Sequence, residues 1–359
     1  MKQIDPIIAK LQASERIDRS EALTLLTEAP LLTLGDLAGR IRQSQHREPV
    51  VTYVVDRNIN YSNICITGCR FCAFYRNPGH PEAYRLSEDE LSRKIKETLD
   101  LGGTQILLQG GMHPDMRLTD FEALLQFIKS FDIHIHGFSP PEIHYLAERE
   151  KMPLKAVLER LKAAGLGSIP GGGAEILVDR VRRLISPAKC STDQWLEVMR
   201  AAHALGLRTT ATMMFGHVET VEDRIDHLLK IRDLQDETQN ATGGFTAFIP
   251  WTFQPQHTKI DVPPATSTEY LRMLAVSRIV LDNVPNIQAS WVTQGAKIAQ
   301  VALAFGANDM GSTMIEENVV AAAGVHFKLP KAEIVRLIED AGHEALQRDC
   351  FYHPVNNRP

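Results

Sequence analysis

The sequence predicts an α/β protein: a (β/α)8 barrel of the TIM type, or a partial barrel, with helical additions at both ends. Short apolar, β-branched runs alternate with longer amphipathic stretches from residue 51 onward. Several of the amphipathic stretches end in glycine, which is typical of a left-handed helix C-cap. The length of 359 residues exceeds a usual single domain but suits a barrel, which often needs about 250 residues or more.

Three parts of the chain are expected. Residues 1–45 form a helical segment, because their apolar residues recur at three- and four-residue spacing, interrupted at Pro30 and Gly35. Residues 46–318 form the barrel core. Residues 319–359 form a helical segment packed on the barrel, with an amphipathic helix over 330–349.

Eight strands are predicted, at 51–55, 104–109, 132–138, 166–170, 208–214, 244–250, 286–292 and 301–307. Helical patterns lie between them at 88–102, 121–131, 152–165, 192–206 and 221–235. If the last two units are irregular, the same pattern describes an open barrel of six repeats.

Composition and charge exclude several classes of protein. Hydrophobic residues make up 44% of the chain and charged residues 23%, as in ordinary globular proteins. The net charge of -5 does not favour nucleic acid or an anionic membrane as a partner. The amino terminus lacks an apolar signal region, and no apolar run approaches the roughly 20 residues that span a bilayer. We therefore expect a cytoplasmic protein with neither kind of partner.

Glycine, proline, polar and aromatic residues follow each predicted strand. The carboxyl ends of parallel strands meet at one face of a barrel, and active sites are built there. Loops attract glycine and proline in any case. That alternative explains less well why acids, a histidine and a tryptophan recur at this point, namely Glu142, Glu175, His217, Glu219 and Trp251.

Three of the five cysteines lie within eight residues, in the stretch NICITGCRFCAFYR (63–76). Cys65, Cys69 and Cys72 have the spacing C-x3-C-x2-C. A structural zinc site usually takes four ligands as two pairs, and a redox CxxC would leave Cys65 unused. Three thiolates suit three irons of a [4Fe–4S] cube, and the fourth iron is then open to a small molecule. Structural zinc and three structural cysteines remain the alternatives.

The pattern C-x3-C-x-aromatic-C, with Phe71 before the last cysteine, resembles the signature of the radical S-adenosylmethionine (radical SAM) superfamily. The resemblance implies a barrel fold, a [4Fe–4S] cluster and S-adenosyl-L-methionine as cofactors. It also implies an electron donor such as a flavodoxin or a ferredoxin, and a 5′-deoxyadenosyl radical formed by cleavage of the C–S bond.

The same resemblance gives candidate cofactor-binding residues after the predicted strands. The Gly-Gly pair that follows Gln109 matches the motif that holds the adenosylmethionine amine, although such a pair is also an ordinary turn. Glu175, in GGGAE, could bind ribose hydroxyls or the cofactor amine, or could simply favour a helix N-terminus. The full set is Phe71, Gln109, Gly110, Gly111, Ser139, Glu142 and Glu175.

Candidate residues for catalysis and substrate binding are less specific. His217 and Glu219 could supply a general base, although a lone histidine is more often structural. His134 and His136 alternate on one strand and so face one side. Trp251, followed by Phe253, could form an apolar wall for an aromatic substrate or belong to the core.

A cation is also expected to bind a substrate carboxylate, because a guanidinium group makes two parallel hydrogen bonds to that group. Arg180 and Arg278 are the candidates. Either could instead be a surface charge.

Longer motifs, including SIPGGGAEILVDRVR, TATMMFGHVET, FIPWTFQP and SWVTQG, resemble one branch of the superfamily, the cyclic dehypoxanthinylfutalosine synthases of the futalosine pathway to menaquinone. The resemblance implies hydrogen abstraction from ribose C4′ of dehypoxanthine futalosine. The carbon radical then closes a ring onto the neighbouring benzoate, and an electron and a proton leave. An aminofutalosine synthase, a deazaflavin-precursor synthase component, and a structural iron–sulfur or zinc protein remain alternatives.

Overall fold

A computed structural model describes residues 4–239 and 242–355. Three helices come first: α1 (Asp5–Gln12), α2 (Arg19–Glu28) and α3 (Leu31–Gln45). Helix α2 starts at a capping box, in which the Asp18 side chain accepts from the Glu21 amide and the Glu21 side chain accepts from the Asp18 amide. These helices bury Leu25 and Leu34 completely.

Ten strands follow in the described residues: β1 (Val50–Val54), β2 (Asp56–Asn60), β3 (Gln105–Gln109), β4 (His134–Gly137), β5 (Ser168–Ile169), β6 (Arg208–Phe215), β7 (Gly244–Thr252), β8 (Asn286–Ile287), β9 (Asp309–Ser312) and β10 (Glu344–Gln347). Strands β2 to β8 form one parallel sheet in chain order, which makes it a partial barrel. Its register pairs Asp56 with Gln105, Gln105 with His134, and His136 with Ser168.

Helices lie between the strands, and the eight between β2 and β8 make the crossovers that the parallel pairing of this sheet requires. The helices after β2 are α4 (Glu88–Asp100), α5 (Leu118–Lys129), α6 (Pro140–Glu150), α7 (Leu154–Ala164), α8 (Asp179–Ile185), α9 (Thr192–Ala204), α10 (Val221–Thr238), α11 (Ser267–Val280), α12 (Trp291–Ala302), α13 (Val319–Ala322) and α14 (Lys331–Asp340). Helices α2 and α3 pack on α11, so the amino-terminal segment covers one side of the barrel.

A second, three-stranded parallel sheet has the order β10-β1-β9. The chain at and after β9 connects the two edges of the seven-stranded sheet. Asp309 forms a bridge with Gln288 beyond β8, and the Ile315 amide donates to the Asp56 carbonyl of β2 at 3.2 Å. The barrel is therefore nearly closed.

The prediction of an α/β barrel of the partial type is confirmed, with seven strands rather than six or eight in the main sheet. The strand predicted at 51–55 is confirmed as β1, but it lies in the second sheet instead of opening the barrel. The strand predicted at 301–307 was wrong, because these residues begin with the end of α12 and a 3₁₀ turn, Leu303–Phe305. The helix expected over 330–349 ends at Asp340 and is followed by strand β10. In the region 286–292, only Asn286–Ile287 is a strand.

The first barrel strand, β2, was not predicted, because its sequence DRNIN has almost no apolar residues. All five of its residues are nevertheless buried. Side chains alternate across a strand, so Asp56 and Asn58 face the barrel interior and Arg57 faces α4, where it binds Glu97 at 2.8 Å. The inward-facing side chains of this strand are polar, and buried polar residues hide a strand from a hydrophobicity pattern.

Candidate active site

The cysteine loop follows β2 and is organised by its own backbone contacts. The Cys65 amide donates to the Arg76 carbonyl at 3.0 Å, and the Arg76 guanidinium donates to the carbonyls of Ala73, Phe74 and Tyr75. These bonds fold residues 63–76 back on themselves. The loop therefore has internal contacts that help to hold its shape.

The thiols converge inside this loop. The Thr67 hydroxyl lies 3.1 Å from Cys65 Sγ and 3.2 Å from Cys69 Sγ, so two of the three sulfurs share one contact. Burial raises the pKa of the Cys69 and Cys72 thiols. Protein surroundings alone thus disfavour thiolates here, whereas a bound metal binds the deprotonated form.

The two glycines after β3 are required by close packing. A Cβ at Gly111 would lie 2.6 Å from Cys65 Cβ and 3.1 Å from its sulfur. A Cβ at Gly110 would lie 2.2 Å from the Tyr61 ring. Gly111 therefore sits directly against the cysteine loop and Gly110 against Tyr61, while binding of the cofactor by this pair stays a prediction.

Ser139 and Glu142, at the start of α6, support that pair. The Glu142 carboxylate accepts from the Gly110 amide at 3.2 Å, from Tyr61 Oη at 2.8 Å and from Ser139 Oγ at 2.6 Å. Burial raises the pKa of Glu142. These contacts position Gly110, and direct binding of the cofactor by Ser139 or Glu142 stays a prediction.

Glu175 pairs with a lysine that the sequence reasoning missed. Lys189 Nζ lies 2.8 Å from Glu175 Oε1 and 5.0 Å from the centre of the Phe71 ring. Burial would lower the pKa of Lys189, but the charges of Cys69 and Glu175 outweigh it and raise that pKa. Lys189 therefore stays protonated, and it links Glu175 to the cysteine loop. No sequence motif indicates Lys189, because this residue lies in an ordinary loop after α8.

A cavity of about 270 Å³ opens beside this cluster, inside the barrel. Of the predicted residues, Gln109, Glu175 and Trp251 line it. Inward-facing residues that the sequence reasoning did not select complete the wall, among them Asp56, Gln105, His136, Thr212 and Trp291. Polar residues at alternate positions of TQILLQ and RTTATMM are the signal that would have indicated them.

The structure places His217 and Glu219 outside the lining of this cavity. Both side chains are fully buried and lie 3.0 Å apart, and Glu219 also binds Arg224 at 2.7 Å. Burial would raise the pKa of Glu219, but His217 and Arg224 outweigh it and lower that pKa well below its usual range. The Glu219 carboxylate accepts from the Gly216 amide, so the contacts of this pair hold the turn after β6. Their catalytic role stays a prediction.

Neither candidate arginine lines the cavity. Arg180 is half exposed and pairs with Asp223. Arg278 is completely buried beneath α3, where it donates to the Gly306 carbonyl at 2.9 Å and to Asn308 Oδ1 at 2.6 Å. Their expected role at a substrate carboxylate is supported by no contact in the structure.

Comparison with known proteins gives two family matches. Residues 59–231 match the radical SAM superfamily, and residues 242–358 match the CofH/MqnC C-terminal region. A protein of Halalkalibacterium halodurans named cyclic dehypoxanthine futalosine synthase is 44% identical over 98% of this chain and 95% of its own. The chain belongs to the radical SAM superfamily.

The chain is also similar to a further relative and to a solved structure. A protein of Archaeoglobus fulgidus named 5-amino-6-(D-ribitylamino)uracil–L-tyrosine 4-hydroxyphenyl transferase is 44% identical over 88% of this chain and 92% of its own. The hydrogenase maturase HydG of Carboxydothermus hydrogenoformans superposes with a TM-score of 0.76 at 20% identity, covering 98% of this chain and 81% of that one, which shows the shared fold.

As a radical SAM protein, the chain is an enzyme that uses a [4Fe–4S] cluster and S-adenosyl-L-methionine, and it acts on a small molecule. The residues present fit this cluster. Three cysteine thiols, the donor type that binds iron in such clusters, lie on one short loop, and two of their sulfurs lie within 3.2 Å of the same Thr67 hydroxyl oxygen. Cys65, Cys69 and Cys72 are accordingly the candidate iron ligands.

Proposed function

We propose that this radical SAM enzyme cyclises dehypoxanthine futalosine to cyclic dehypoxanthine futalosine in menaquinone biosynthesis. The observation that carries the proposal is the end-to-end similarity to the H. halodurans protein of that name. A barrel cavity that adjoins the cysteine loop through Glu175 and Lys189 supports it.

The reaction is an oxidative ring closure. The substrate loses one hydrogen atom from ribose C4′, and a bond forms between C4′ and the benzoate ring. One electron and the ring proton then leave, so the product is lighter by two hydrogens. The cluster, when bound, supplies the electron that cleaves adenosylmethionine to methionine and the abstracting 5′-deoxyadenosyl group.

The residues of the chain bind and orient the cofactor and the substrate, and they exclude water from the reaction. Cys65, Cys69 and Cys72 hold the cluster, and Gly110 and Gly111 allow the cofactor to approach the backbone. A carbon radical reacts with almost any nearby C–H bond, so the target must be held close in a cavity that excludes water.

Two residues that line the cavity have further roles in binding the substrate and the cofactor. Trp251 offers an apolar face to the aromatic ring of the substrate. Glu175, fixed by Lys189, offers an acceptor to hydroxyl or amine groups of the cofactor.

We also propose a small one-electron carrier, such as a flavodoxin or a ferredoxin, as the reductant. The surface beside the cysteine loop supports this, because Ile66 and Leu184 are exposed there by 45% and 47%. The Lys259 amide donates to the Arg70 carbonyl, which brings two cationic residues to the same place. An acidic carrier would fit such a surface.

No helix of the described residues is long and apolar enough to cross a membrane. We propose that the enzyme acts in the cytoplasm, without a membrane or a nucleic acid as partner.

The decisive experiment is anaerobic reconstitution with iron and sulfide, followed by incubation with adenosylmethionine, dithionite and dehypoxanthine futalosine. We expect 5′-deoxyadenosine together with a cyclised product two hydrogens lighter than the substrate. The Cys69→Ala variant is the control and should yield neither. Reconstituted protein that forms no cyclised product would overturn the proposal.

A second candidate function rests on the similarity to the A. fulgidus transferase. The same assay with L-tyrosine and 5-amino-6-(D-ribitylamino)uracil tests it. A related protein of Thermus thermophilus is named aminodeoxyfutalosine synthase, so the substrate of that enzyme class belongs in the panel. The substrate that yields deoxyadenosine in step with product identifies the reaction.

A further inference from the structure

Two histidines of β4 and one serine of β5 form a continuous hydrogen-bonded chain. His136 Nδ1 lies 2.7 Å from Ser168 Oγ, and His134 Nε2 lies 2.7 Å from the same oxygen. Register places His136 beside Ser168, and the alternation of the strand puts both histidines on one side.

This arrangement can carry a proton from His136 to His134. Ser168 Oγ also lies 3.2 Å from Cys350 Sγ. A hydroxyl has a single proton, so in the relay Ser168 donates it to one imidazole and accepts from the other, and the Cys350 thiol can donate to the same oxygen. If His136 receives a proton on its free nitrogen, its Nδ1 proton can pass to Ser168. The serine proton then passes to His134.

The inner end of this hydrogen-bonded chain, His136, faces the cavity in which the reaction takes place. His136 lines the cavity, and its Nε2 has no hydrogen-bond partner among the described residues. Burial lowers the pKa of His136 to about 3, so the ring is neutral at pH 7 and has a lone pair to offer.

The outer end of the hydrogen-bonded chain, His134, lies outside the lining of the cavity. The His134 ring is half buried, contacts the Phe351 ring at 5.0 Å between centres and lies near Asp349. Burial also lowers the pKa of His134, to about 4, so this ring too is neutral at pH 7 and can accept the proton that Ser168 passes on.

Three carboxylates also line the cavity, and each already accepts hydrogen bonds within the protein, Glu175 from Lys189. Asp56 accepts from Ser312 Oγ at one oxygen and from Gln105 Nε2 at the other. Glu317 accepts from three backbone amides at the start of α13. His136 differs from these carboxylates in being a neutral base whose Nε2 has no hydrogen-bond partner among the described residues.

We propose that His136 is the catalytic residue that takes the ring proton of the substrate, and that Ser168 and His134 pass this proton out of the barrel. This inference rests on the proposed cyclisation. The bond from C4′ to the ring carbon has formed, and the C–H bond of that carbon breaks. Its proton goes to His136 Nε2, and its electron pair restores the aromatic ring. One electron leaves to an oxidised one-electron carrier.

The test is the ratio of cyclised product to 5′-deoxyadenosine in the reconstituted enzyme. In the wild type we expect about one product per deoxyadenosine. His136→Gln retains a group that can bond to Ser168 but cannot act as a base. Deoxyadenosine should still form, while the ratio falls by about 100-fold, within the usual contribution of general-base catalysis.

Three further variants separate an effect on catalysis from an effect on folding. His203→Gln is the matched control, because His203 is also buried and bonded to two hydroxyls, those of Thr209 and Thr238, but does not line the cavity. Its ratio should equal that of the wild type. Ser168→Ala should lower the ratio, and added imidazole should restore it in His136→Ala. Iron content and thermal unfolding confirm that each variant folds.

The outcomes distinguish the two proposals. If the wild type cyclises the substrate and His136→Gln keeps the wild-type ratio, the relay is wrong and the function stands. If His203→Gln lowers the ratio as strongly as His136→Gln, a structural effect explains both, and the relay is again wrong. If the wild type forms no cyclised product, the proposed function fails, and with it the relay.

Discussion

At the scale of single residues, the pair formed by Lys189 and Glu175 decides how charge is arranged between the cavity and the cysteine loop. Both side chains are nearly buried, with exposed fractions of 16% and 5%. A buried charge is tolerated only with a partner. Each charge therefore lowers the free-energy cost of burying the other. The effects of substituting the two residues on the free energy of unfolding should not be additive.

We expect Lys189→Met to lower the free energy of unfolding by about 3–5 kcal/mol, because Glu175 is left as an unpaired buried charge. Urea unfolding of the reconstituted protein measures this. The double variant Lys189→Met with Glu175→Gln should lose less than the sum of the single variants, by about 2 kcal/mol. Additive losses would show that the two charges do not depend on each other.

Gly111 gives a second expectation at this scale. Gly111→Ala introduces a Cβ within 2.6 Å of Cys65 Cβ, so the loop must move away from its ligand geometry. We expect iron per chain after reconstitution to fall at least about twofold, an estimate from the cost of overpacking.

The matched control for Gly111→Ala is Gly39→Ala, in helix α3. Its nearest neighbour outside the helix would be the Ala304 carbonyl oxygen at 3.7 Å, an ordinary contact. This variant should bind iron as the wild type does, and alanine should stabilise the helix slightly. Equal iron content in the two variants would contradict the steric explanation.

The sequence could indicate those functional residues whose role is recognisable from their spacing along the chain. Cys65, Cys69 and Cys72 form a local motif, and Gly110 and Gly111 directly follow a strand. Lys189 acts through a contact with Glu175, 14 positions earlier in the chain, and its environment exists only after folding. His136 was recognised as a member of an alternating pair, but its serine partner lies 32 residues away.

At the scale of secondary-structure elements, the last strand, β10, binds parts of the fold that are distant in sequence. Within it, Gln347 is 4% exposed, donates to the Gly102 carbonyl at 2.9 Å and accepts from Lys331 Nζ at 2.9 Å. One side chain thus connects β10, the end of α4 and the start of α14.

We expect Gln347→Leu to lower the free energy of unfolding by about 1–3 kcal/mol, because a buried carbonyl and an ammonium group lose their partners. Glu344→Gln, at an exposed position of the same strand, is the control and should change stability by less than about 0.5 kcal/mol. Urea midpoints measure both. A loss below 0.5 kcal/mol in Gln347→Leu would show that β10 is dispensable.

The same strand shows why some elements escaped prediction. The sequence EALQ has no β-branched residue, and the one break between it and the preceding helical pattern is Gly342, which has a positive φ of 81°. Its strand geometry comes from pairing with β1, about 290 residues earlier, as in the register of Val51 with Ala345. Helices α4, α5, α7, α9 and α10 were predictable because their amphipathic repeat is local.

At the scale of the whole molecule, four buried histidines make stability depend on pH. Burial lowers the pKa of His134 and His203 to about 4, and that of His136 and His227 to about 3. An unfolded chain holds these protons below a pKa of about 6.5. Between about pH 6.5 and pH 4 the unfolded state therefore binds more protons than the folded state. Lower pH thus favours unfolding.

We expect the free energy of unfolding to fall as the pH drops from 7 to 5, with each buried histidine contributing up to about 1.4 kcal/mol per pH unit. His227→Gln removes one of these groups outside the cavity, so its stability should depend less steeply on pH. Urea unfolding at pH 7, 6 and 5 compares the two proteins, and acid effects on the cluster cancel in the difference. Parallel curves for wild type and His227→Gln would mean that His227 titrates alike in the folded and unfolded chain, and would contradict its burial as the cause.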